Sequence, residues 1–137
     1  RVGGLVGHTN KAGSLTDSYN TGSATIRGKV NYGGIVGEMA SQKALITNCY
    51  TVGSATVDDG GSGNVAAAFG SANATAVITG CYALDNGREF ALGSTDGIVG
   101  GGLLSDSLMQ DPASFEGWDF IGTWQQGGGA YPYPVLR

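Results

Sequence analysis

Gly3-Gly4-Leu5-Val6-Gly7 recurs as Gly33-Gly34-Ile35-Val36-Gly37, then in weakened form as Ala66-Ala67-Ala68-Phe69-Gly70, with a last echo at Gly97-Ile98-Val99-Gly100. Behind each of the first three copies stands a second block: Leu15-Thr16-Asp17-Ser18-Tyr19, Ile46-Thr47-Asn48-Cys49-Tyr50 and Ile78-Thr79-Gly80-Cys81-Tyr82. The closing Gly precedes the Tyr by 12, 13 and 12 residues. A third block, Gly22-Ser23-Ala24-Thr25-Ile26, returns as Gly53-Ser54-Ala55-Thr56-Val57 and dissolves at Leu84-Asp85-Asn86-Gly87. Self-similarity at this period is the signature of a repeat architecture, in which no single repeat can bury its apolar face alone.

Each repeat holds three short β-favouring runs set off by Gly, Asn, Ser and Asp turn residues, and no stretch carries a sustained helical period. Three runs make one triangular coil. Stacked coils bring equivalent residues to about 4.8 Å, so that backbones pair above and below and like side chains form ladders. The expected fold is therefore all-β: a right-handed parallel β-helix, or β-solenoid, of about three to four coils with a C-terminal Trp-rich cap. The coils are expected at approximately 3–32, 33–65 and 66–96, with a partial coil at 97–104, and Asp58 to Asn64 form the clearest inserted loop.

The second block resists a simple assignment of faces. With Leu15, Ile46 and Ile78 inward, alternation places Asp17, Asn48 and Gly80 inside, whereas the other phase buries Thr16, Thr47 and Thr79. A bend or bulge at Asp17, Asn48 and Gly80 reconciles the two and lets Cys or Tyr beyond it reach the core.

Composition narrows the function. The 26 Gly and 13% charged residues contrast with about 7% Gly and about 25% charge in ordinary domains. Disorder would need low hydrophobicity and high charge, and 41% of the residues are apolar. The net charge is −4 and the seven Lys and Arg are scattered, which argues against nucleic acid as a partner. No stretch reaches the roughly twenty apolar residues of a membrane span. A chain that lacks an initial Met and enters a repeat at once reads as a piece of a longer protein, its targeting signals outside it.

These residues make the chain similar to the GLUG-motif family, whose consensus approximates Gly-Gly-Leu-Val-Gly, a Ser-Tyr block and a Gly-Ser/Ala-Thr/Val block. Gly3, Gly4, Gly7, Ser18-Tyr19 and Gly22 to Ile26 fit; so do Gly33, Gly34, Gly37, Cys49-Tyr50 and Gly53 to Val57. The third copy keeps Gly70, Cys81 and Tyr82 but has Ala66-Ala67 for the Gly pair and Asn86-Gly87 for the last block. The resemblance covers residues 1–104. Residues 105–137, with Trp118, Phe120 and Trp124, resemble the segment that closes such arrays, where a stack end exposes core and unpaired edges. Ser105 is placed to N-cap a helical turn that Pro112 limits. The resemblance implies a solenoid fold and an extracellular setting in bacterial surface proteins, among them adhesins and IgA-specific metallopeptidases whose chemistry lies elsewhere in their chains.

The residues point to no reaction. Zinc peptidase chemistry needs two His on a helix face, and nucleophilic triads need a His beside an activated Ser. Only His8 is present, and after Gly7 it reads as an exposed turn residue. Asp58, Asp59 and Asp85 with Asn86 are the only acidic candidates for Ca²⁺ or for polysaccharide cleavage, and solvated loops are the better account of them. Cys49 and Cys81 fall on equivalent positions of adjacent coils. They form either a buried thiol ladder with Ser18 as first rung or, in an oxidising compartment, a disulfide strained by parallel register. Threonine rows Thr16/Thr47/Thr79 and Thr25/Thr56 follow from β-propensity. Tyr19, Tyr50 and Tyr82 form a core ladder or, if exposed, a sugar-stacking stripe. The expectation is a monomeric, non-catalytic structural or adhesion module, free of cofactor and metal, with a host or matrix protein or a glycan as partner. A carbohydrate-binding module is the alternative, and a polysaccharide-acting β-helix enzyme a third reading.

Overall fold

The computed structural model describes residues 1–40, 43–58 and 60–137, and it is all-β with parallel sheets. Layer one comprises β1 (Val2–Gly3), β2 (Val6–Thr9), β3 (Gly13–Thr16), β4 (Tyr19–Asn20) and β5 (Ala24–Ile26). Layer two repeats it as β6 (Tyr32–Gly33), β7 (Val36–Met39), β8 (Ala44–Thr47), β9 (Tyr50–Thr51) and β10 (Ala55–Val57). Layer three holds β11 (Phe69–Ala72) and β12 (Val77–Leu84), and layer four β13 (Ala91–Gly93) and β14 (Ile98–Leu104). Every pairing between layers is parallel, and in the first three layers it joins the residues that the repeat aligns: Val6 with Val36, Leu15 with Ile46, Ile46 with Ile78, Tyr19 with Tyr50 and Tyr50 with Tyr82. In layer four it does not: Ile98 and Val99, read as an echo of Leu5-Val6, pair with Ile78 and Thr79 of the second block, and Ala91 takes the Val6 position.

Two features break each repeat into more strands than three. At the Gly pair the backbones approach too closely for a side chain: a Cβ on Gly33 would stand 2.2 Å from the Val36 carbonyl oxygen and 2.4 Å from that of Ala68. In layer three the buried Ala66 and Ala67 occupy the same places. The second break is the expected bend. Asp17, Asn48, Gly80 and Gly100 adopt φ of 46°, 53°, 59° and 67°, a left-handed conformation that Gly takes freely and Asp or Asn tolerate better than other side chains. One left-handed residue shifts the alternation by one. Leu15, Ile46 and Ile78 therefore point inward before it and Cys49 and Cys81 inward after it, while Thr47 and Tyr50 lie on the outer side.

The main core threads all four layers. It combines Ile35, Val36, Ile46, Cys49, Ala68, Phe69, Ile78 and Cys81 with the partly buried Leu5, Val6, Leu15, Phe90, Ala91 and Ile98. A small third face, built on Ala24 with Ala55 and Ile26 with Val57, spans two layers only. Layer three is shorter because the third block is missing after Leu84. Ile46 pairs with Ile78, whereas Ile78 already pairs with Ile98.

Past β14 come α1 (Asp106–Met109), a 3-10 turn at Pro112–Ser114, and the antiparallel pair β15 (Trp124–Gln125) and β16 (Val135–Leu136). The Ser105 hydroxyl caps α1 by accepting from the Leu108 N–H, and Asp111 caps the turn that begins with Pro112. This segment does not sit over the end of the stack. It runs back across the layers and covers the outward tyrosines: Trp118 packs on Tyr82 and Tyr50, and Trp124 on Tyr50 and Tyr19. The bend explains the difference, because it turns the Tyr column out of the main core and leaves a flank of rings that large apolar side chains must cover.

Candidate functional site

The most organised polar and aromatic chemistry lies along that flank. Tyr19 and Tyr50 stack at 5.2 Å with an interplanar angle of 2°, as translation by one layer dictates. Tyr50 and Trp124 are fully buried, and Met109 and Phe115 complete the cluster. Polar ends are satisfied across the seam: Trp118 Nε1 donates to Gly80 O at 2.8 Å and Trp124 Nε1 to Asp17 Oδ1 at 3.2 Å. The Tyr50 hydroxyl donates to the Pro134 carbonyl at 2.6 Å and shares a 2.5 Å hydrogen bond with the Tyr131 hydroxyl. Burial, and then that hydrogen bond, pushes the Tyr50 phenol above its ordinary range. The hydrogen bond to Asp106 raises Tyr133 to about 12. Phe120 packs against Phe115 and Trp118 at the margin of the cluster. Such rings cannot stack on a sugar while the segment is in place.

Beside this cluster opens a groove of about 440 Å³, where Glu116 and Gly117 overhang the bend. Thr47, Asn48, Thr79, Gly80, Val99 and Gly100 line it together with Tyr82, whose hydroxyl accepts from the Glu116 N–H at 3.2 Å. Its floor is thus the outward Thr row and the left-handed corner. Thr25 and Thr56, the other row, pair in register on a separate sheet and are exposed.

Cys49 and Cys81 are buried free thiols in successive layers. Cys49 Sγ donates to Thr47 O at 3.3 Å and Cys81 Sγ to Ile46 O at 3.6 Å. Its hydrogen bond with Cys49, followed by burial, pushes the Cys81 thiol up, which disfavours the nucleophilic thiolate.

Among the described residues, Asp58 and Asp85 are held by different partners. Asp58 pairs with Arg27 at 3.0 Å beyond β10, and Asp85 follows β12, its carboxylate accepting from the Gly87 N–H at 3.0 Å. Asp59 lies outside the described residues. Among the described residues no three His, Cys, Asp or Glu side chains cluster as metal ligands, and no helix is long and apolar enough to cross a membrane.

His8 differs from its expected exposed turn. It lies in β2, in register with Glu38, and its Nε2 is shielded from solvent 3.7 Å from Glu38 Oε1. Glu38 also binds Arg1 at 2.8 Å and Asn31 at 2.7 Å. Burial works against the Glu38 carboxylate, but the hydrogen bonds from Arg1 and Asn31 hold its pKa below the usual range. The pairing of His8 with Glu38 was within reach of the sequence, since the thirty-residue offset aligns them.

No family model, curated protein or solved structure matches the chain.

Proposed function

We propose that the four layers are the coils of a right-handed β-solenoid of GLUG type, and that the chain is a non-catalytic structural and adhesive module of a secreted or cell-surface bacterial protein. One observation carries the reading: the side chains best suited to ligand chemistry are spent on holding the stack. The Tyr column that a sugar-binding face would present lies under Trp118 and Trp124, the two thiols are sealed in the core, and Asp58 and Asp85 are engaged by different partners, Arg27 and the Gly87 N–H. In-register parallel pairing supports the solenoid, and the usual hand of parallel crossovers supports its handedness. Such a stack is a stiff rod, suited to hold neighbouring domains away from a surface.

A carbohydrate-binding module is the second reading, favoured by the groove that Thr47, Asn48, Thr79 and Glu116 line. Glycan and matrix-protein arrays separate the two. The structural reading expects no saturable binding to any one sugar class. Binding to a sugar class that is lost in both Glu116→Ala and Asn48→Ala would overturn it and place recognition in the groove.

A further inference from the structure

The third block dissolves at Asp85-Asn86-Gly87-Arg88, and there the chain carries its only Asn-Gly step. β12 ends at Leu84 and β13 begins at Ala91, so this corner belongs to no strand. Its two sides are anchored: the Asp85 N–H donates to Leu104 O at 2.8 Å, and Glu89 O accepts from the Ala67 N–H at 2.8 Å. Between the anchors, among the described residues, Asn86, Gly87 and Arg88 make no backbone-to-backbone hydrogen bond. Asp85, Asn86 and Gly87 are exposed. Gly87 has φ of 84°, and a Cβ on it would meet no atom within 4 Å.

Two side-chain contacts organise this turn for a reaction. The Gly87 N–H donates to Asp85 Oδ1 at 3.0 Å, and the Arg88 N–H donates to Asn86 Oδ1 at 3.2 Å. The first places a carboxylate on the one proton that must leave before the Gly87 nitrogen can act as a nucleophile. The second turns the Asn86 carboxamide back along the chain and sets a donor on the oxygen where negative charge develops. Gly87 has no side chain to hinder the approach of its nitrogen to Asn86 Cγ. The Arg88 guanidinium donates to Ala55 O at 3.1 Å and so fixes the turn against layer two.

We propose that Asn86 is a self-modifying residue, converted by its own turn to aspartate and isoaspartate. Asp85 takes the Gly87 proton, the Gly87 nitrogen bonds to Asn86 Cγ, and the Arg88 N–H holds the resulting oxyanion. The leaving amide nitrogen recovers the proton from Asp85 and departs as ammonia, and a five-membered imide remains. Water opens that ring at one carbonyl or the other: aspartate keeps the backbone, and isoaspartate lengthens it by one carbon. One water is consumed and one ammonia released, with no change of oxidation state. The net charge of the chain moves from −4 to −5, one neutral amide having become a carboxylate beside Arg88. This chemistry needs only the corner of the fold and not the adhesive reading.

Incubation at neutral pH followed by peptide mapping, with fragment ions locating the site, tests it. Asn86 of the wild-type chain should show the amide-to-acid mass increase, and a more acidic species should grow on ion exchange at the same rate. The folded chain is expected to convert faster than the same chain in urea, since unfolding frees Asp85 and Arg88 from the reacting groups. Asp85→Asn keeps the hydrogen-bond acceptor and removes the base. It should slow conversion of the folded chain at least about tenfold, below the roughly 10² to 10⁴ of a fully positioned base because the carboxylate is exposed. In urea the two chains should convert alike. Circular dichroism melts verify that the variant is folded; if it is not, the comparison of folded with urea-unfolded wild type decides alone. A wild-type chain whose Asn86 stays intact, or converts more slowly folded than in urea, overturns the proposal. A folded Asp85→Asn chain that converts as fast as wild type overturns it equally.

Discussion

Replacing Trp124 by Ala tests whether the C-terminal segment is part of the folding unit or an appendage. The indole is fully buried and lies against Trp118 at 4.4 Å between centroids and against Tyr19 and Tyr50 at 6.0 Å each. Truncating a core Trp destabilises by about 3–5 kcal/mol, the lost transfer energy being compounded by the cavity left behind. The hydrogen bond to Asp17 adds only about 1 kcal/mol, since water can replace it at a half-buried carboxylate. For a chain of this length about 4 kcal/mol lowers Tm by roughly 10–15 °C. Thermal unfolding followed by far-ultraviolet circular dichroism reads the β-layers themselves. Ile121→Ala, at a site 90% exposed on the same segment, is the control and should stay within about 0.5 kcal/mol. A Trp124→Ala variant whose β-signal melts within about 3 °C of wild type would refute the idea that the flank holds the layers together.

Four further outcomes follow from the geometry. Asn48→Val should destabilise by about 1–2 kcal/mol in urea titrations, since a β-branched residue pays for φ of 53°, whereas Asn48→Gly should be near neutral. Cys49 and Cys81 should not react with an aromatic disulfide reagent in the native state, and both should titrate once the chain is unfolded. Because the Glu38 pKa is lowered on folding, its contribution is present above the unfolded value of about 4.5 and is lost as pH falls through the lower folded value; the stability gap between wild type and Glu38→Gln should narrow on acidification below that pH. Tyr133 has the opposite sign: raised from 10.0 to about 12, it contributes below pH 10 and loses that contribution as pH rises through 12, so ultraviolet phenolate titration of Asp106→Asn should show one tyrosine ionising earlier.

Much of this arrangement was legible in the sequence because stacking is local translation. Residues thirty or so apart meet whenever each layer pairs in register with the next, so the recurrence of Gly33 on Gly3, Ile46 on Leu15 and Tyr50 on Tyr19 already contains the parallel pairing. Even the left-handed corner showed itself, as a failure of both alternation phases at positions where only Asp, Asn and Gly occur. His8 reads as a turn residue from its own neighbours alone, because its partner Glu38 belongs to the next layer and only the thirty-residue offset brings the two together. Tertiary structure alone decided where the Trp-rich segment goes. Trp124 meets Asp17 across more than a hundred residues, with no periodic partner to announce it. Two kinds of site offered themselves for apolar rings, an open end and a flank of tyrosines. The flank won because the left-handed residue turned Tyr19, Tyr50 and Tyr82 out of the main core, where Trp118 and Trp124 pack on them.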